Sequence, residues 1–193
     1  MLRPTNDLLN LASSAKDGAI GDVKDLYFDD EAWALLPGYA GYGSPTAIRA
    51  EAAMAQTPTE ARQGEKHPRL RSCKAVVGYY MEAIDGELGH VQGLLVDEDS
   101  WAIRYLVVRT SNWWLGHDVL VAPQWIKRGS WADRTVAVDL TRDTLKQAPR
   151  YDPTVPLSRE MEIAVFKHYG RAGYWSGADP ASDRVILSQA NEA

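Results

Sequence analysis

Apolar and polar positions alternate with a period of two in three short runs, AIRYLVVRT, HDVLVAP and RTVAVDL, separated by loops rich in Gly, Asn, Trp and Pro. That period predicts strands. In the first run Ile103, Tyr105 and Val107 face one side while Leu106 and Val108 face the other, so both faces are apolar, as in the wall of a packed sheet. With AVVGYYMEAI before Asp85, residues 70 to 140 predict about five strands at short spacing, a small antiparallel barrel or sandwich. The period changes in DLTRDTLKQAP, which reads as a short helix capped by Thr141, with Leu140 and Leu145 as a hydrophobic staple and Pro149 as its end. VPLSREMEIAVFKHYGRAGYW predicts a second helix, capped by Ser158, carrying Met161, Ile163, Ala164 and Phe166, and stopped by Gly170.

One pattern occurs twice. DGAIGDVKDLYFDDEAWA at Asp17–Ala34 and DGELGHVQGLLVDEDSWA at Asp85–Ala102 match at eight positions with a constant offset of 68. Asp-Gly predicts a tight turn with positive φ, the next residues a strand, and the acidic run before Trp a second turn. A strand-turn-strand unit of this size cannot bury its apolar face alone. The first copy lacks the strands that follow the second: LLPGYAGYGSPTAIRAEAAMAQTPTEARQGEKHPR is rich in Gly, Pro and Ala, with room for one short helix near Thr46–Ala55.

Charge and cysteine use narrow the classes. With 26 acidic and 21 basic side chains the net charge is -5, which disfavours a nucleic-acid partner. The single cysteine, Cys73, permits no intrachain disulfide and is read as packed and inert, as expected of a soluble, cytoplasmic protein. The longest uncharged stretch, Ala32–Ile48, is broken by Pro37, Gly38, Gly41, Gly43 and Pro45, so no membrane span is expected.

DGELGHVQGLLVDEDSWAIRYLVVRT, WWLGHDVLVAP and VAVDLTRDTLKQAP together resemble the PRC-barrel domain, the small β-barrel shared by the reaction-centre H subunit and the ribosome maturation factor RimM. YDPTVPLSREMEIAVFKHYGRAGYW is similar to the tail of bacterial stand-alone proteins that carry two such domains. The resemblance implies a barrel used as a docking module. It gives a mainly β chain: a truncated PRC-barrel-like repeat at 6–36, a linker at 37–69, a PRC-barrel at 70–147, a helical extension at 148–175 and a flexible tail at 176–193.

No constellation of side chains identifies a reaction. His67, His90, His117 and His168 place no two on one helical face with a carboxylate and read as ordinary surface histidines; GYAGYG reads as linker, and Asp29-Asp30-Glu31 and Asp97-Glu98-Asp99 as solvated turns. No catalytic, cofactor or metal residue is assigned. The adjacent Trp113 and Trp114 cannot both enter one core from an extended strand, which offers one of them to a partner. Leu26, Phe28 and Trp33 of the first copy form apolar surface that must be covered, and taken as a flexible coil the 33 residues from Pro37 to Arg69 span roughly 30 Å, reaching a barrel in the same chain or in a second one. The expected function is a non-enzymatic binding or assembly module that self-associates as a homodimer, the first copy lying at least partly across its two-fold interface. The alternatives are a ligand-binding protein or enzyme using the barrel mouth near His90 and His117, and a peripheral component of a membrane or photosynthetic complex.

Overall fold

The computed structural model describes residues 1–9, 12–15, 18–36, 69–110 and 116–176. The helix expected near Thr46–Ala55, the pair Trp113 and Trp114, and the tail from residue 177 lie outside them. In chain order the elements are β1 (Leu2–Pro4), α1 (Thr5–Leu8), β2 (Ala12–Ala15), β3 (Gly18–Asp22), β4 (Tyr27–Asp29) and β5 (Ala34–Leu35). The second copy supplies β6 (Leu70–Ser72), α2 (Cys73–Val76), β7 (Tyr80–Ala83), β8 (Gly86–Asp97), β9 (Ile103–Thr110) and β10 (Asp118–Val121). After a 3₁₀ turn at Pro123–Trp125 come β11 (Ile126–Ser130), β12 (Thr135–Val138), α3 (Arg142–Lys146), α4 (Arg159–His168) and a last 3₁₀ turn at Tyr174–Ser176.

The protein is mainly β. Its large sheet runs β10–β9–β8–β7–β12–β11, with β1 also paired to β8; its end strands, β10 and β11, are not joined by a ladder. The long strand β8 has room for two partners on one edge because its first half, Gly86–His90, takes β7 while Leu95–Asp97 takes β1. Its ladder with β9 slips between Val91 and Gly93 and again between Leu95 and Val96, the irregularities that bend a strand across two neighbours. The alternating runs become β9, β10 and β12 as expected, and every apolar residue from Ile103 to Val108 is buried, as a strand packed on both faces requires.

Two expectations change. The run AVVGYYMEAI does not form one strand: Ser72 accepts from the Ala75 amide at 3.0 Å and starts the turn of α2, Gly78 turns the chain at φ 90°, and only Tyr80–Ala83 is extended. The polar stretch Ile126–Ser130 forms β11, a hairpin partner of β12. Both predicted helices form with the expected caps, the Thr144 amide bonding Thr141 and the Met161 amide bonding Ser158, each at 3.3 Å. Helix α4, however, turns Glu162, Val165 and Phe166 inward and leaves Ile163 48% exposed. Phe166 and the following Tyr169 pack on Trp125, with ring centres at 5.3 and 4.6 Å.

Beneath α4 lies a buried polar cluster. Glu162 Oε2 accepts from the hydroxyls of Tyr105 and Tyr174, each at 2.8 Å, and Oε1 pairs with Arg159 at 3.1 Å. Burial, then the Glu162 charge, pushes the Tyr105 phenol far up; burial alone raises Tyr169; and burial followed by the bond to Glu162 lifts Tyr174 from 10.0 to about 12. A phenol whose pKa is higher folded than unfolded holds its proton more tightly in the fold than out of it. Its stabilisation is therefore complete below the unfolded value of 10.0 and is lost as pH rises towards about 12. Urea midpoints should hold up to pH 10 and fall above it, with Tyr105 and Tyr169 ionising only as the chain unfolds and the half-buried Tyr174 titrating at about 12 in the fold. An alkaline titration complete in the folded protein would contradict this.

Candidate protein-binding site at the repeat junction

The two copies pair with each other, and they do so reciprocally. Strand β1 lies on β8 with Leu2, Arg3 and Pro4 opposite Asp97, Val96 and Leu95. Strand β6 lies on β4 with Leu70, Arg71 and Ser72 opposite Asp29, Phe28 and Tyr27, the same register at equivalent positions. At the centre Ala34 faces Ala102; the Leu35 amide donates to the Trp101 carbonyl at 2.8 Å and the Ile103 amide to the Trp33 carbonyl at 2.7 Å. Side chains repeat the pattern, since Arg3 pairs with Glu98 at 2.8 Å and Arg71 with Asp30 at 2.7 Å. The repeat therefore extends upstream of Asp17, through β1 and α1, and its copies are related by a local two-fold through Ala34 and Ala102.

Both turns at this seam are built alike. Trp33 and Trp101 have φ of 51° and 58°, the left-handed region that bulky residues rarely adopt. What holds them is the acidic run: the Trp33 amide bonds the Asp29 carbonyl at 2.8 Å, and the Asp29 carboxylate caps the amides of Glu31 and Ala32 at 2.9 and 2.8 Å. In the second copy the Trp101 amide bonds the Asp97 carbonyl at 2.7 Å, and the Asp97 carboxylate takes the Asp99 amide at 3.3 Å. The carboxylates read from the sequence as solvated turns thus also shape the seam.

Symmetry ends beside the seam. A cleft of about 420 Å³ opens between the first copy's turn, with Asp30 and Trp33, and the second copy's Arg104, Lys127 and Trp131, with Tyr174 also lining it. Several of its charges are held in pairs: Lys127 reaches Asp139 at 3.0 Å, and Arg104 lies 4.1 Å over the Tyr174 ring and 3.7 Å from Asp97. Arg71, already paired to Asp30, lies 4.8 Å from the centre of Trp131. Among the described residues the first copy matches only the start of β9, through β5, and has no counterparts of β10 to β12, so no matching cleft forms against Trp101, which stays 38% exposed.

The residues singled out from the sequence fall on both sides of this division. Leu26 and Phe28 are buried, and Trp33 stacks on Phe28 with ring centres 5.1 Å apart while lining the cleft. The covering surface is in the same chain: the Leu26 carbonyl accepts from the Cys73 amide at 2.8 Å, and Trp131 meets Phe28 edge-on at 6.4 Å. Trp113 and Trp114 lie outside the described residues. His90 sits on β8 opposite Arg109, and His117 bonds Thr110 through its backbone, but neither lines this cleft. His168 is structural, its Nε2 2.8 Å from the Thr144 carbonyl, which ties α4 to α3. Cys73 is buried, and burial followed by the Asp25 charge pushes its thiol up to about 12. Among the described residues no cluster of His, Cys, Asp and Glu is arranged to hold a metal, and no helix is long and apolar enough to cross a membrane. Sequence reasoning missed Arg104, Lys127, Trp131 and Tyr174, because the cleft joins loops and strands far apart in the chain.

Compared with known proteins, the chain matches no family model and no curated protein.

Proposed function

We propose that the chain is a non-enzymatic assembly module of the PRC-barrel kind, which acts by contacts between folded surfaces. The observation that carries this reading is the reciprocal seam, where one surface is used twice and is complementary to itself. The cleft beside it supports the reading: its aromatic walls and paired charges suit a protein surface with matching polar groups at its rim. A reducing compartment such as the cytoplasm suits a buried, unpaired Cys73.

The test uses purified full chain in light scattering over a wide concentration range, together with capture from a native extract by wild type and by Arg128→Glu, a change on the exposed rim of the cleft. Self-association, or stoichiometric capture that the variant loses, supports an assembly role. A chain that stays monomeric throughout and captures nothing overturns it.

A further inference from the structure

We propose that the repeat seam exchanges between molecules, so that the partner of this module is a second copy of the same chain, with the first repeat of each molecule seated on the second repeat of the other. The inference rests on the assembly reading and names its partner. An interface in which every contact recurs across a two-fold is complementary to itself, and nothing in its bonds distinguishes a neighbour in the same chain from one in another. That holds here in detail: Leu2 and Leu70 take equivalent places opposite Asp97 and Asp29, Arg3 and Arg71 pair with Glu98 and Asp30, and Ala34 and Ala102 meet on the axis.

The elements that cross the seam are suited to transfer. Strands β1 and β6 have three residues each and carry only three register pairs apiece, so either can leave without dismantling the ladder between β8 and β9. When β1 leaves, Leu95–Asp97 of β8 presents open backbone groups, an edge that seeks another strand. Covalent connection does not choose the partner: the 33 residues from Pro37 to Arg69 can extend at most about 110 Å, enough for a repeat in either molecule. The exchanged pair keeps every contact of the closed chain. The two forms differ by the entropy of the connection, and protein concentration sets their ratio.

Ala34 and Ala102 give a direct readout. The bonds flanking them, Leu35 to Trp101 and Ile103 to Trp33, are those of a non-hydrogen-bonded antiparallel pair, with a typical Cα separation of roughly 4.5 Å that a disulfide can bridge. Cys73, buried with a raised thiol pKa, does not compete. Full-length chain carrying Ala34→Cys and an affinity tag is mixed at high concentration with untagged Ala102→Cys chain in a thiol-disulfide buffer, warmed gently, and run on a non-reducing gel. The double variant in one chain shows that the seam forms. Ala34→Cys mixed with Ile84→Cys, an exposed position, measures random collision.

The expected result is rapid closure of the double variant within one chain and a mixed Ala34–Ala102 covalent dimer several-fold above the collision control, rising with concentration. If the double variant closes and the mixed dimer stays at the control, exchange is overturned. Should light scattering still show self-association in that case, the assembly role stands and uses another surface; if it shows none and nothing is captured, both fail.

Discussion

Replacing Phe28 by alanine should cost about 3–5 kcal/mol and lower the melting temperature by roughly 10 °C or more. Phe28 is 0% exposed, in the middle of the sheet β5–β4–β6, where the first copy takes its strand from the second. Its ring stacks on Trp33 and meets Trp131 edge-on, so truncation leaves a cavity bounded by both copies. Neither neighbour can readily close that hole. Trp33 is fixed by a left-handed turn, and Trp131 is held under Arg71 and beside Tyr79. The loss is a large fraction of the 5–15 kcal/mol by which domains are typically stable. Phe28→Leu keeps most of the buried apolar surface and should cost only about 1 kcal/mol. Urea unfolding followed by tryptophan fluorescence and far-ultraviolet circular dichroism compares the three proteins. An alanine variant with the wild-type midpoint would show that Phe28 does not close the junction.

Much of the second copy was legible because its signals are local. Alternation marked β9, β10 and β12, and Ser and Thr before short amphipathic runs marked the caps of α3 and α4. The repeat was legible in its turns, where Gly86 needs a φ of 128° and the acidic run must fold back on itself. Its upstream extension was not: a three-residue strand and a four-residue helix have no periodicity, and β1 finds its partner in Leu95–Asp97, far along the chain. The reciprocal pairing was hidden for the same reason. A constant offset tells which residues are equivalent and says nothing about which of them touch. Strand β11 escaped notice because Lys127 and Arg128 are exposed and a hairpin partner, not an apolar face, makes it a strand. Glu162 was passed over because a carboxylate in a helix usually faces water. That expectation fails only where tyrosines on other elements converge on it, which no local pattern reveals.

That convergence gives the second large effect. Glu162 is 3% exposed and is the acceptor for two phenols. In Glu162→Ala the hydroxyl of Tyr105, in a residue 0% exposed, loses its acceptor, which costs about 1–3 kcal/mol. The half-buried Tyr174 adds less, and the pair with Arg159 adds little because that side chain is 48% exposed and screened by solvent. The total should be roughly 2–4 kcal/mol. Glu162→Gln retains a carbonyl acceptor and should lose only part of it. The comparison that isolates the buried bond adds Tyr105→Phe: if the cost of Glu162→Ala lies in a stranded hydroxyl, removing that hydroxyl as well should recover about 1–2 kcal/mol relative to the sum of the two single changes. Alkaline titration gives an independent check. Without the carboxylate Tyr174 loses the hydrogen bond and charge that help hold it at about 12, so its ionisation should move down towards 10.0 in the folded variant. Strict additivity, together with an unmoved Tyr174 titration, would show that Glu162 does not hold α4 against β9 through these hydroxyls.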